Sequence, residues 1–108
     1  MREIKAIIRR ERVADVVSAL HERPDLPGVT ISFVEGVGRR PRGAGPAEFG
    51  EVQMAKVETV VSAELASWVV DTIRRAAFTG RAGDGKIFVV RVEQAVQIRS
   101  GEEGPQVL

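Results

Sequence analysis

The stretch from Thr79 to Val92, TGRAGDGKIFVVRV, contains the residue types that polyphosphate binding requires. Three glycines and one aspartate fall within six residues, and a single lysine and an apolar run follow them. A glycine-rich backbone can bring several N–H donors close to an anion, and a neighbouring amino group can neutralise its charge. Gly83, Asp84, Gly85 and Lys86 are therefore candidates for a phosphate-binding loop. The stretch is not a Walker A loop, because GxxxxGK[ST] is absent and no helix follows.

The same segment also fits a plain connection between a helix and a strand. In that interpretation Gly80 caps the preceding helix and Asp84-Gly85 forms a turn. The residues of the loop alone leave both interpretations open.

A second candidate segment is GVGRRPRGAGPAEFGE, from Gly36 to Glu51, with five glycines, two prolines and three arginines. It is too rich in residues that interrupt regular structure for a helix or strand, and it predicts a long, mobile loop. Its arginines would meet an anion or a partner, or they belong to an ordinary solvated loop. Arg99, near the C-terminus, is either an anion contact or a surface charge.

The composition narrows the classes of function. The chain has 108 residues, 44% of them apolar, which predicts one domain over residues 1–108. Cysteine is absent and His21 is the only histidine, which excludes thiolate or histidine-cluster metal sites and disfavours a catalytic triad. A net charge of +1 gives no field that would attract nucleic acid or an acidic membrane. The charged N-terminus does not resemble a signal sequence, and we expect a cytoplasmic protein.

Hydrophobic periodicity predicts the order β-α-β, a long loop, and β-α-β. This is the α+β, ferredoxin-like split βαβ arrangement, with two helices on one face of a four-stranded antiparallel sheet. Apolar residues on both faces of the later strands predict that self-association covers the open face. The predicted elements are a strand around Ile4–Ile8, a helix over Arg12–Arg23, strands over Val29–Val37 and Val52–Val61, a helix over Ala63–Phe78 capped by Ser62, a strand over Lys86–Val92 and a short strand over Ala95–Ile98.

The segment TGRAGDGKIFVVRVEQAVQIRSGEEG resembles a signature of the P-II nitrogen-regulatory proteins, in which TGxxGDGKIFV precedes a short strand and IRTGE. REIKAIIRRERVADVVSAL resembles the family's opening strand and helix, GVTISFVEGVGR its second strand and turn, and KVETVV the strand after the loop. The resemblance covers essentially the whole chain. It implies a homotrimer with the sheets packed centrally, which binds ATP, ADP or AMP in clefts between subunits. It also implies a non-enzymatic regulator of nitrogen or related metabolism that acts on a transporter or enzyme through a flexible T-loop, about residues 38–51.

The resemblance also implies roles for individual residues, carried over by motif position. Gly83, Asp84, Gly85 and Lys86 would form the loop beneath the phosphates, and Arg99 would reach in from the neighbouring subunit, in the tail of about residues 99–108. The other implied nucleotide contacts are Gly36, Val37 and Gly38 at the base of the T-loop, Arg39 at a phosphate, and Thr30, Glu58 and Val60 on the adenine side. The implied partner-binding residues of the T-loop are Arg40, Arg42, Glu48 and Phe49.

The chain departs from the family pattern at several positions. Arg40 and Met54 stand where members that sense 2-oxoglutarate have Gln and Lys, which weakens the expectation of a 2-oxoglutarate site. Gln97 replaces one of two phosphate-contacting arginines, which predicts a shift of preference toward ADP or AMP. The chain has no tyrosine, so the family's uridylylation is excluded.

Three other functions are alternatives to a nucleotide-binding regulator for this chain. The first is a P-II-like sensor of another small anion such as bicarbonate, linked to carbon metabolism, in which Arg40 would supply positive charge. The second is a slow ATPase, for which the only candidate bases are Asp84 and Glu58. The third is RNA binding, which needs aromatic residues exposed on the sheet, and the chain has too few of them. We therefore expect no nucleic-acid partner.

Overall fold

The computed structural model describes residues 1–39 and 49–108, and of these it describes the side chains of all but residues 39 and 49–51. The elements are β1 (Arg2–Arg9), a short 3-10 turn (Arg10–Arg12), α1 (Val13–Leu20), β2 (Thr30–Arg39), β3 (Phe49–Val61), α2 (Ala63–Ala77), β4 (Gly85–Arg91) and a second 3-10 turn (Pro105–Val107). The four strands form one antiparallel sheet in the order β2-β3-β1-β4. With two helices, this is the ferredoxin-like α+β fold, which confirms the predicted class.

The hydrophobic core lies between the helices and one face of the sheet. Alternate residues of β1, Ile4, Ala6 and Ile8, are at most 1% exposed, because successive strand residues point to opposite faces. On α2, Val69 and Ile73 are fully buried and lie one turn apart on the same side of the helix. This packing fixes β1, and β4 is held beside it by backbone pairing from Arg2 opposite Arg91 to Ile8 opposite Gly85.

The opposite face of the sheet is apolar mainly on β4. Phe88 and Val90 are 49% and 48% exposed there, so half of each side chain has no cover within the described chain. The same face of β3 carries Lys56 and Glu58, whose charged groups lie 3.5 Å apart. The expectation that β3 is apolar on both faces is therefore wrong at its centre. The uncovered apolar surface lies on edge strand β4 and, near the start of β3, on Val52, which is 50% exposed.

Strands β2 and β3 extend further than the sequence predicted. Gly36 pairs with Val52, and Arg39 at the end of β2 pairs with Phe49 at the start of β3. The prediction that 36–51 contains no regular structure is therefore wrong at both ends. The backbone N–H and carbonyl groups of the two strands form hydrogen bonds with each other. Glycines are therefore tolerated in this part of the strands, where no side chain is needed for packing.

Two local predictions also need correction. Ser62 occupies the N-cap position of α2, but its side chain makes no capping hydrogen bond, and its backbone carbonyl accepts from the Leu65 N–H at 3.1 Å instead. The predicted strand over Ala95–Ile98 is reduced to an isolated bridge between Val96 and Glu103.

In the described ranges, no helix has the length and apolar character needed to cross a membrane.

Thr72 on α2 offers a test of the core. The residue is 6% exposed, and its hydroxyl oxygen has no hydrogen-bond partner among the described residues. Because a buried hydroxyl without a partner costs about 1–3 kcal/mol, Thr72→Val should raise the free energy of unfolding by about 1 kcal/mol in urea denaturation. Thr72→Ser is the matched control, since it keeps the hydroxyl, loses a methyl group and should be less stable than the native chain. A Thr72→Val protein that is no more stable than the native one would contradict this account.

Candidate functional site

The two glycine-containing candidate segments lie on the walls of one cleft. Gly36, Val37 and Gly38 of β2 form one wall, and the segment 83–86 forms the other, around a volume of about 520 Å³. The topology explains the meeting of segments so distant in sequence. Gly85 lies opposite Ile8 on one side of β1, while Met54 of β3 lies opposite Arg9 on the other, so both walls rise from the same end of the sheet. Val52, Met54 and Arg81 complete the lining.

The segment Gly80–Lys86, which we call the glycine loop, leaves α2 after Ala77 and enters β4 at Gly85. Gly80, Gly83 and Gly85 have φ values of +85°, +94° and +103°, a region of backbone space that favours glycine. Gly80 lies three residues beyond the last residue of α2, so it is not a cap on the helix end. The turn falls at Ala82-Gly83 and not at Asp84-Gly85.

The carboxylate of Asp84 holds the glycine loop together. It accepts hydrogen bonds from the Thr79 N–H at 2.9 Å, from the Thr79 hydroxyl, from the Gly80 N–H at 3.0 Å and from Arg9 Nε at 3.0 Å. The hydroxyl and N–H of Thr79, with Arg9 and Gly80, hold the pKa of this carboxyl well below its usual range. Its side-chain oxygens are thus used within the loop, and its negative charge is paired with a cation.

Two exposed cations flank the loop on the cleft side. Lys86, the second residue of β4, lines the cleft and is solvent-exposed. Arg81 lies in the loop itself, with its guanidinium 3.5 Å from the carboxylate of Glu11. Such an exposed ion pair holds Arg81 only weakly, so both cations are available to an anion.

Sequence reasoning missed Arg9 as a residue of this site. Its Nη2 donates to the carbonyl oxygen of Ala82 at 2.8 Å, and its Nε donates to Asp84. The sequence places Arg9 at the end of a strand, but nothing in it indicates a contact with a residue 75 positions away. The β1–β4 register brings the two together, because the strand that follows Asp84 starts beside the end of β1.

The Asp84 network predicts a measurable titration. A folded-state pKa below the unfolded value means that the carboxylate stabilises the fold above about pH 4, and that this contribution is lost as the pH falls through the folded pKa. In an NMR titration, the amide shifts of Thr79 and Gly80 should therefore move together with a midpoint well below about 3.9. Arg9→Gln should raise that midpoint without restoring the ordinary value, since the Thr79 bonds remain. A midpoint near 4 in the native protein would contradict the network.

A different part of the chain holds the residues expected on the adenine side. Thr30, Glu58 and Val60 line a second cleft of about 350 Å³. Glu58 lies opposite Lys5 on β1, whereas the glycine loop meets β1 at Ile8, which is about 10 Å further along the strand. One chain therefore presents the two sets of candidate residues in two separate clefts.

Arg99 lies at neither cleft. It is an exposed residue in the turn of a short C-terminal hairpin, which is closed by the Gln97 N–H on the carbonyl oxygen of Glu102 at 2.8 Å. Ile98 beside it is fully exposed, so this turn projects away from the body of the chain.

The backbones of Arg39 and Phe49 are described only as strand ends, and Arg40, Arg42 and Glu48 lie outside the described residues. Across the part of the chain that the structure covers, no cluster of three acidic or histidine residues could hold a metal ion.

The chain is similar in sequence to known proteins of one family. A family model described as nitrogen regulatory protein P-II matches residues 1–102. The chain is 40% identical over 109 residues to nitrogen regulatory protein P-II of Bradyrhizobium diazoefficiens, covering 96% of each chain. It is 42% identical over 111 residues to the protein of the same name from Rhizobium meliloti, again over 96% of each chain. It is 40% identical over 114 residues to nitrogen regulatory protein P-II 2 of Methanothermobacter thermautotrophicus, over 100% of this chain and 97% of the other.

Proposed function

Because this chain belongs to the nitrogen regulatory protein P-II family, we propose that it is a cytoplasmic signal-transduction protein that binds ATP, ADP or AMP. The bound nucleotide would control a partner protein, a transporter or an enzyme, through the T-loop at about residues 38–51. The observation that carries the proposal is the cleft of about 520 Å³ between the base of that loop and the glycine loop.

The chemistry of this cleft suits a polyphosphate. Glycines at both walls leave the backbone accessible, and Lys86 and Arg81 supply positive charge. An aspartate beside a phosphate site would ordinarily repel the ligand, but the charge of Asp84 is paired with Arg9 at 3.0 Å. The net charge that a phosphate meets at this wall is therefore positive.

The separation of the two clefts supports a site shared between subunits. The phosphate half would come from the glycine loop of one subunit, and the base half from Thr30, Glu58 and Val60 of a neighbour. The half-exposed Phe88 and Val90 on edge strand β4 are the kind of surface that a neighbouring copy covers. Arg99, on its projecting turn, would contact the nucleotide of an adjacent subunit.

A regulator needs only that nucleotides differ in affinity for two states of the T-loop. The base of the T-loop is one wall of the cleft, so a ligand there contacts the segment that leads into it. Gln97 in place of a phosphate-contacting arginine supports a preference for ADP or AMP over ATP. Arg39, Arg40, Arg42, Glu48 and Phe49 would act in phosphate or partner contact.

Catalysis is not part of this proposal. Asp84, the candidate base at the phosphate half, has a lowered pKa and four hydrogen bonds, which disfavours proton abstraction at neutral pH. Glu58, the other candidate, lies in the second cleft and is paired with Lys56 at 3.5 Å. The comparisons give no support to a bicarbonate sensor, since the relatives carry the nitrogen-regulatory name.

Isothermal titration with ATP, ADP and AMP, each with and without Mg²⁺ and 2-oxoglutarate, tests the proposed ligands. We expect nucleotide binding that 2-oxoglutarate does not tighten, with ADP or AMP bound at least as well as ATP. Sedimentation equilibrium should give a mass three times the chain mass of 11.7 kDa. A protein that binds no adenine nucleotide would remove the proposal, and a monomer would remove the shared site.

A further inference from the structure

Two adjacent arginines at the end of β1 hold the two walls of the cleft. Arg9 is bonded to the glycine loop through Asp84 and Ala82, as described above. Arg10 is bonded to the opposite wall, the paired strand segments 34–38 and 50–54, which we call the ribbon. One peptide bond therefore separates the two guanidinium-bearing residues that contact the two walls.

Arg10 bonds both strands of the ribbon at one position. Its Nε donates to the carbonyl oxygen of Met54 at 3.1 Å, and its Nη2 reaches the carbonyl oxygen of Val34 at 3.5 Å. Met54 and Val34 face each other in the β2–β3 register. Nη1 also donates to Gln53 Oε1 at 3.3 Å, and the guanidinium lies 5.2 Å from the centre of the Phe33 ring. A planar group with several fixed donors is suited to such a multiple contact.

The end of β1 explains why this contact matters. β1 pairs with β3 only as far as Arg9 opposite Met54, so the earlier part of β3 is paired with β2 alone. Arg10 supplies a donor to the Met54 carbonyl at the point where β1 stops. Among the described residues, the side-chain hydrogen bonds that join the ribbon to the body of the chain come from Arg10.

We propose that Arg9 and Arg10 are positioning residues that couple the conformation of the glycine loop to that of the ribbon. A displacement of the glycine loop moves Arg9, and the shared backbone carries the displacement to Arg10 and hence to the Met54–Val34 position. The coupling itself needs no ligand. Its use as a signal, in which cleft occupancy changes the segment leading into the T-loop, rests on the proposed function.

A mutant cycle followed by amide hydrogen exchange on the full chain tests the coupling. Asp84→Asn loosens the glycine loop, and it should raise exchange by about threefold at the ribbon amides that bond across the β2–β3 ladder. In an Arg10→Gln background, the same loop change should leave the ribbon rates unaltered. Should Asp84→Asn fail to fold, Thr79→Val removes another bond of the same loop and replaces it in the cycle.

Arg23→Gln is the matched control. Like Arg9, Arg23 bonds a carboxylate, that of Asp25 at 2.8 and 3.0 Å. Like Arg10, it has its guanidinium 5.2 Å from the centre of an aromatic ring, that of Trp68. It does so in the helical layer, away from the cleft. We expect this variant to keep the full ribbon response to Asp84→Asn. Arg10→Lys should behave as Arg10→Gln does, because the three acceptors are bonded by three different nitrogens around the guanidinium and the three donors of an ammonium all leave one nitrogen.

The same exchange measurements with ATP added distinguish a failure of this inference from a failure of the proposed function. In the native protein, ATP should slow exchange in both the glycine loop and the ribbon. In Arg10→Gln the loop should be protected as before, and the ribbon should keep only the smaller protection that direct contact with the ligand gives it. An equal ribbon response to Asp84→Asn in the native and Arg10→Gln proteins would overturn the coupling, and equal, non-zero protection of the ribbon by ATP in both would overturn its use as a signal. If ATP protects neither segment, the proposed function fails, while the mutant cycle without ligand still decides whether the arginines couple the walls.

Discussion

Gly85→Ala is expected to lower the free energy of unfolding by about 2–5 kcal/mol. Gly85 has φ of +103°, and a Cβ added there would lie 1.7 Å from the carbonyl oxygen of Ile7. That oxygen belongs to the backbone of β1, so no side-chain rotation can relieve the clash. Because Gly85 is paired with Ile8, relief requires the first residues of β4 to separate from β1. Urea denaturation at one fixed protein concentration measures the loss.

Gly83→Ala separates backbone strain from the clash. Gly83 also has a positive φ, +94°, but an added Cβ would lie 3.4 Å from Arg9 Nη2, the far end of a flexible side chain. It should therefore cost only the strain of the backbone conformation, about 1–2 kcal/mol. If Gly83→Ala and Gly85→Ala proved equally destabilising, the close approach of the loop to β1 would not be the cause.

The part of the fold that depends on local spacing was predictable from the sequence. Helix α2 was predicted over Ala63–Phe78 and runs over Ala63–Ala77, because the apolar residues one turn apart are all within one segment. The order of the strands followed from the order of the elements, since the split βαβ arrangement leaves few alternatives. The ferredoxin-like fold is confirmed for these physical reasons.

The base of the T-loop was mispredicted because its stability is not local. Gly36 and Gly38 have low strand propensity, but they are paired with Val52 and Gly50 on the neighbouring strand. Composition measures the preference of one residue and not the hydrogen bonds it gains from a partner. The prediction for Ser62 was wrong for a local reason. Ser62 does occupy the N-cap position of α2, but the direction of its hydroxyl depends on a side-chain rotation that the sequence does not fix.

For the site, the sequence identified which segments meet but not what each side chain does there. The glycine motif and the segment Gly36–Gly38 are both predicted as candidates, and the structure brings the two to one cleft. Asp84 was expected beneath the phosphates, and its side chain is used to hold the loop. Arg9 and Arg10 were not among the predicted site residues, because their contacts reach 75 and 44 positions along the chain and follow only from strand register.

Lys86→Gln should weaken ATP binding by about 10–100-fold. Lys86 is the second residue of β4, so its backbone is fixed by pairing with Ile7 while its exposed side chain lines the cleft. A charge-assisted bond between an ammonium and a phosphate is lost, and glutamine keeps a similar length without the charge. Isothermal titration gives the affinity, and the fold should be unaffected because the side chain is exposed.

Arg91→Gln provides the control, since it removes the same unit of charge from an exposed position at the other end of β4. ATP affinity in this variant should stay within about twofold of the native value, because a charge about 17–20 Å away is screened at physiological salt. The loss caused by Lys86→Gln should also decrease from ATP to ADP to AMP and shrink as salt is raised. An equal loss for all three nucleotides would mean that Lys86 contacts a part of the ligand that they share, and the assignment of the glycine loop to the outer phosphates would then be wrong.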